Sequence, residues 1–95
     1  AADTFAPIGP VIDTEVDPNT VTVRANLNGT ERQNYTAGDY VFSPAEIISG
    51  LSKDMTLLPG DIIACGTSLG VGSMKPGSQI EISIDGIGTL SNRFE

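Results

Sequence analysis

Histidine is absent from the 95-residue sequence. A Ser-His-Asp triad, a Cys-His dyad and an imidazole metal site are therefore excluded within it. Cysteine is nearly absent too: Cys65 stands alone, so neither an internal disulfide nor a cysteine-rich zinc site can form. An unpartnered thiol fits a reducing compartment, which points to the cytoplasm. Basic residues number five against twelve acidic ones, for a net charge of −7. Five scattered cations make no basic patch, which argues against nucleic-acid binding and against attraction to an anionic membrane surface. No apolar run approaches the roughly 20 residues that span a bilayer. Tryptophan is missing and aromatic residues make up 5% of the chain, so bulk for a core is scarce. Small domains bury a low fraction of their surface, and a chain this short folds alone only marginally. No signal-peptide pattern is present, and residues 1–10 read as the interior of a protein. The chain reads as one small domain or a piece of a larger one.

What is present is globular in composition, 39% apolar and 18% charged. The pattern is mainly β with one short helix, an α+β class. Val11-Ile12 begins an extended run, and Asp17-Pro18-Asn19 is a turn cluster. Residues 20–27 alternate, with Val21, Val23, Ala25 and Leu27 on one face, which predicts a half-buried strand. Asn28-Gly29 then predicts a tight hairpin. The polar return strand, 30–35, is expected near an edge or a site. Ser43 fits a helix N-cap, Pro44 the first helical position and Glu46 the third position of a capping box. Ile47, Ile48 and Leu51 continue at helical spacing, predicting a helix over 44–53. The apolar run 62–65 reads as a buried strand. Glycines 66, 70, 72 and 77 mark a loop. Residues 79–84 alternate again, and Asp85-Gly86 turns them into a second hairpin over 87–90.

Three segments carry candidate chemistry. The glycine-rich stretch Gly66-Thr67-Ser68-Leu69-Gly70-Val71-Gly72 lets backbone N–H groups and a hydroxyl approach a ligand closely. It lacks the Gly-Lys-Ser/Thr ending of a phosphate loop, and no helix pattern follows it as in a dinucleotide fingerprint. On local pattern alone, a tight connection is the commoner meaning of such a stretch. Gly9-Pro10 is a stiff turn that either reverses the chain or lines a pocket. Arg32 and Gln33 together present a guanidinium fork and an amide suited to a carboxylate. Adjacent strand residues point to opposite faces, so only one of the two is expected at a given site. The aspartates at 3, 13, 17, 39, 54, 61 and 85 form no calcium-loop pattern and are assigned to structure.

In order along the chain, these segments resemble the fumarylacetoacetate hydrolase family. The resemblance rests on Asp3-Thr4-Phe5-Ala6-Pro7-Ile8-Gly9-Pro10, on Asn28-Gly29 with Arg32-Gln33, and on residues 41–48. It continues through Met55-Thr56-Leu57-Leu58-Pro59-Gly60-Asp61 and the glycine-rich loop to Asp85-Gly86-Ile87-Gly88-Thr89-Leu90. It covers essentially the whole chain and makes the glycine-rich loop a ligand wall. It implies that residues 1–95 are the C-terminal part of a catalytic domain, itself a mixed β-sandwich roll that is typically homodimeric. Members use Mg2+, Mn2+ or Ca2+ to hydrolyse, decarboxylate, hydrate or isomerise small 2-oxo and diketo acids, many from aromatic catabolism. The cation's carboxylate ligands and the active-site lysine fall upstream of this sequence. By the same resemblance Thr67, Gln33, Gly9, Pro10 and Gly66 contact substrate, and Thr4 assists the metal site. The chain departs from the family at Asn34, often Asp elsewhere, and at Ser68, usually Pro.

Two expectations follow. In the first, the chain is the substrate-wall and dimer-scaffold part of a Mg-dependent enzyme acting on a small keto acid, inactive without the upstream half of its domain. In the second, it is a β-rich binding or assembly module that kept the scaffold and lost the chemistry.

Overall fold

The computed structural model describes residues 6–39 and 41–95. Its elements run β1 (Thr22–Leu27), β2 (Thr30–Thr36), a 3-10 turn (Ala37–Asp39), α1 (Pro44–Asp54), β3 (Gln79–Ile84) and β4 (Gly88–Arg93). The strands form one antiparallel sheet in the order β2-β1-β3-β4. It is two hairpins joined through their first strands, and β2 lies at an edge as expected.

The first hairpin closes on Asn28 and Gly29, with φ of 51° and 81°. Two successive left-handed residues match the twist of the flanking strands, which is why Asn-Gly is favoured there. Asn28 also ties the two hairpins together. Its Oδ1 accepts from the Gln79 N–H at 2.9 Å, and its own N–H donates to the Gln79 carbonyl at 2.9 Å.

Alternation sorts the sheet into two faces. Val23, Ala25 and Leu27 stand opposite Ile84, Ile82 and Ile80, and Ile82 stands opposite Leu90. The reverse face is polar. There Arg24 pairs with Asp85 at 2.6 Å, Ser83 with Thr89 at 2.8 Å, and the Gln79 amide reaches Ser91 at 3.0 Å. Arg24 and Asp85 are both partly exposed, and such pairs are worth at most about 1 kcal/mol.

Ser43 and Glu46 form the expected reciprocal capping box, with both hydrogen bonds at 3.2 Å. The helix runs one residue further than predicted, to Asp54. β1 starts at Thr22 rather than position 20, because the Thr20 N–H is used in the preceding turn, donating to the Asp17 carbonyl. β4 begins at Gly88 and continues to Arg93, past the predicted end at Leu90.

One strand assignment is overturned. Residues 62–65 form no strand, and Ile62 is 70% exposed. The run has strand composition, but among the described residues no neighbouring strand pairs with it, and a strand exists only as part of a ladder.

The described residues bury little. Ala25 and Ala37 are the only buried apolar ones among them. Total accessible surface is 7178 Å², against about 5,200 Å² for a compact monomer of this mass. The radius of gyration is 14.5 Å, against about 12 Å for 95 compact residues. The apolar face of the sheet is only half-buried, and exposed apolar residues lie elsewhere, among them Ile48 on α1, and Val11, Ile12, Leu58, Ile62 and Leu69 in the connections. No helix among the described residues is long and apolar enough to cross a membrane.

Candidate ligand-wall site

β2 carries an irregularity that decides the site. Ala25 pairs with Gln33 and Asn26 pairs with Glu31, so Arg32 has no partner in β1. This is a β-bulge, which breaks strict alternation and re-aims side chains. It corrects the expectation that Arg32 and Gln33 must serve opposite faces: both line one cleft of about 190 Å³, with Gly70, Gly72, Met74, Ile80 and Ile82. The Arg32 Nη1 lies beside Gly72, 3.4 Å from where a Cβ on that glycine would stand.

The glycine-rich loop docks on this bulge. The Gln33 side-chain nitrogen faces three oxygens of the loop: Thr67 Oγ1 at 2.9 Å, Ser68 O at 3.0 Å and Leu69 O at 3.1 Å. Gly70 makes the approach possible. Its φ is +102°, and a Cβ there would overlap the Arg32 carbonyl oxygen and stand 2.9 Å from Gln33 Cγ. Only glycine meets both the left-handed conformation and the close approach.

Gly9 and Pro10 lie against the other end of the same apolar face. They line a second cleft, about 230 Å³, with Pro7, Ile82, Ile84, Gly88 and Leu90. Ile82 borders both clefts and so connects the two groups of predicted wall residues. The structure therefore brings Gln33 and Thr67 into direct contact and sets Gly9-Pro10 across Ile82 from them. Gly66 immediately precedes Thr67, exposed and at φ +87°. Thr4 lies outside the described residues.

Sequence reasoning missed the Ser68 and Leu69 carbonyls, which do as much to hold Gln33 as the Thr67 hydroxyl does. It also missed the convergence of Arg32 on the loop. Nothing in local composition marks a bulge at Arg32.

Among the described residues no group of three or more His, Cys, Asp or Glu side chains comes together to hold a metal ion. Asp13 and Asp17 instead accept from nearby backbone N–H groups, and Asp61 accepts from the Leu58 N–H at 2.8 Å. The described residues do not fit a divalent cation.

The model for the C-terminal domain of fumarylacetoacetate (FAA) hydrolase matches residues 1–95. The chain belongs to the FAA hydrolase family. It is 45% identical over 102 residues to the oxaloacetate tautomerase YisK of Bacillus subtilis, covering 97% of this chain and 34% of that protein. It is 44% identical over 95 residues to the 4-hydroxyphenylacetate degradation bifunctional isomerase/decarboxylase of Salmonella dublin, covering 97% and 22% respectively. The fold matches that of maleylpyruvate hydrolase from Sphingobium sp. SYK-6, solved in complex with manganese(II) and pyruvate. The TM-score is 0.93 at 40% identity, covering 99% of this chain and 37% of the other. The chain thus spans between about a fifth and two fifths of the length of these relatives.

Proposed function

We propose that residues 1–95 are the C-terminal part of the catalytic domain of a metal-dependent enzyme acting on a small 2-oxo or diketo acid. The segment supplies one wall of the substrate pocket and scaffold for a homodimer. Thr67, Gln33, Gly66, Gly9 and Pro10 form the wall. The observation that carries this reading is the docking of the glycine-rich loop on Gln33, which lines an apolar cleft and holds the exposed Thr67 hydroxyl by a 2.9 Å hydrogen bond. Hydroxyl and backbone donors on an apolar wall suit a short ligand with a polar keto-acid head.

The cation is Mg2+ or a similar divalent ion, its principal ligands lying outside this chain, with Thr4 assisting. When bound, it supplies Lewis-acid polarisation of a keto oxygen. This chain's own residues bind and orient the substrate and exclude water from one side of it. The cytoplasm is the proposed compartment.

The test is turnover by the parent enzyme of oxaloacetate and of an acylpyruvate, with Mg2+ or Mn2+ present. Isomerisation, decarboxylation or C–C hydrolysis of either is expected. Thr67→Val is expected to raise KM about tenfold or more, the cost of one hydrogen bond to a charged group. Failure to turn over either substrate, with Thr67 dispensable, would leave a β-rich binding or assembly module in place of an enzyme.

A further inference from the structure

The contact between Gln33 and the loop has a definite polarity. Ser68 O and Leu69 O are carbonyl oxygens and only accept, so the group of Gln33 that faces them is its NH2 and not its carbonyl. The same nitrogen lies 2.9 Å from Thr67 Oγ1, and a primary amide nitrogen has hydrogens to give and no lone pair to offer. Thr67 Oγ1 is therefore the acceptor in that contact. Its own proton is directed elsewhere, and among the described residues the Thr67 hydroxyl donates to none. Thr67 is exposed, so that proton is presented outward.

We propose that Gln33 is a positioning residue that sets the Thr67 hydroxyl as a hydrogen-bond donor toward the ligand. Gln33 acts through the loop: its amide hydrogens are consumed by three loop oxygens, two hydrogens shared among three acceptors. A serine or threonine hydroxyl normally rotates to donate or accept as its surroundings ask. Here one lone pair is engaged from the strand side, which biases the group toward ligands that offer an oxygen acceptor, such as a carboxylate or a keto oxygen. Gly70 supports the arrangement, because a side chain there would lift the loop off Arg32 and Gln33. The assignment rests on the proposed keto-acid site for the identity of the ligand, but the polarity of the contact does not.

Two measurements on the parent enzyme test it. The first is pyruvate affinity by calorimetry, with Mg2+ present, for the wild type, Thr67→Val, Gln33→Glu and the double variant. A glutamate at 33 is the same size but cannot donate when ionised; it would draw the Thr67 proton to itself and face two carbonyls. Each single variant is expected to weaken pyruvate about tenfold or more, the scale of a lost hydrogen bond to a charged ligand. The double variant is expected to lose no more than the worse single, because both remove the same donor. Losses that multiply would overturn the proposal, since a merely structural glutamine would act independently of the Thr67 proton.

The second measurement is exchange of the Gln33 side-chain amide protons by NMR on wild-type protein. Slow exchange is expected, with one resonance shifted in Thr67→Val. Exchange at the rate of a free side-chain amide would overturn the proposal regardless of ligand. Protected protons in an enzyme that binds no pyruvate would support the positioning role and refute the keto-acid reading instead.

Discussion

Gln33 on β2 and Thr67 in the glycine-rich loop are 34 positions apart in sequence, and the Gln33 amide donates to the Thr67 hydroxyl at 2.9 Å. The contact joins an edge strand to a loop that has no regular structure of its own. It is the point at which an irregular segment acquires a fixed shape, and a fixed shape is what a binding wall needs.

Gly70→Ala should undo that contact while leaving both Gln33 and Thr67 in place in the sequence. The added methyl would meet the Arg32 carbonyl, and the φ of +102° is costly for any L side chain. A loss of keto-acid affinity of about tenfold or more is expected in the parent enzyme, with a stability cost of about 1–3 kcal/mol. Calorimetry and a urea melt check both numbers. Unchanged affinity would mean that the loop's docking on β2 is irrelevant to binding.

Asn28→Ala should separate stability from function. The asparagine accepts a left-handed φ of 51° and caps the Gln79 N–H. Alanine does neither, and a loss of about 1–2 kcal/mol is expected from the strained turn and the unpaired donor. Thermal or urea unfolding measures the loss, and kcat should stay within twofold or so because the turn lies outside the proposed pocket wall.

Mg2+ or Mn2+ added at millimolar concentration should leave the melting temperature of the 95-residue chain unchanged. A ligand that binds only the native state must stabilise it, and the described residues assemble no cation-binding cluster. In the parent enzyme the same addition should raise the melting temperature. A clear shift in the 95-residue chain would place cation ligands within it.

Ile62→Ser should have consequences of different size in two contexts. Ile62 is 70% exposed here, so the change should move the stability of the isolated chain by no more than about 0.5 kcal/mol. If residues 62–65 become a covered strand in the parent enzyme, the same substitution should cost about 1–3 kcal/mol there. Denaturant melts of the two proteins make the comparison. Equal small effects would show that the run stays exposed in both.

Much of this molecule was decided locally. Ser43, Pro44 and Glu46 determine where α1 begins, because the cap, the preset φ and the reciprocal hydrogen bonds all lie within four residues. Asn28-Gly29 determines the first hairpin, because the left-handed conformations it needs are intrinsic to those two residues. The alternation of Ile80, Ile82 and Ile84 determines which face of β3 is apolar. The family, too, was legible in the order of its short segments. Tertiary structure decided what depends on partners distant in sequence. Residues 62–65 have the composition of a strand and yet form none, because a strand needs a neighbour to bond to. Arg32 and Gln33 share a cleft only because a bulge in the β1-β2 ladder breaks the alternation that adjacent residues otherwise obey. The glycine-rich loop docks on the sheet through Gln33 and the clearance at Gly70, two conditions set by β2 and invisible in the loop's own residues.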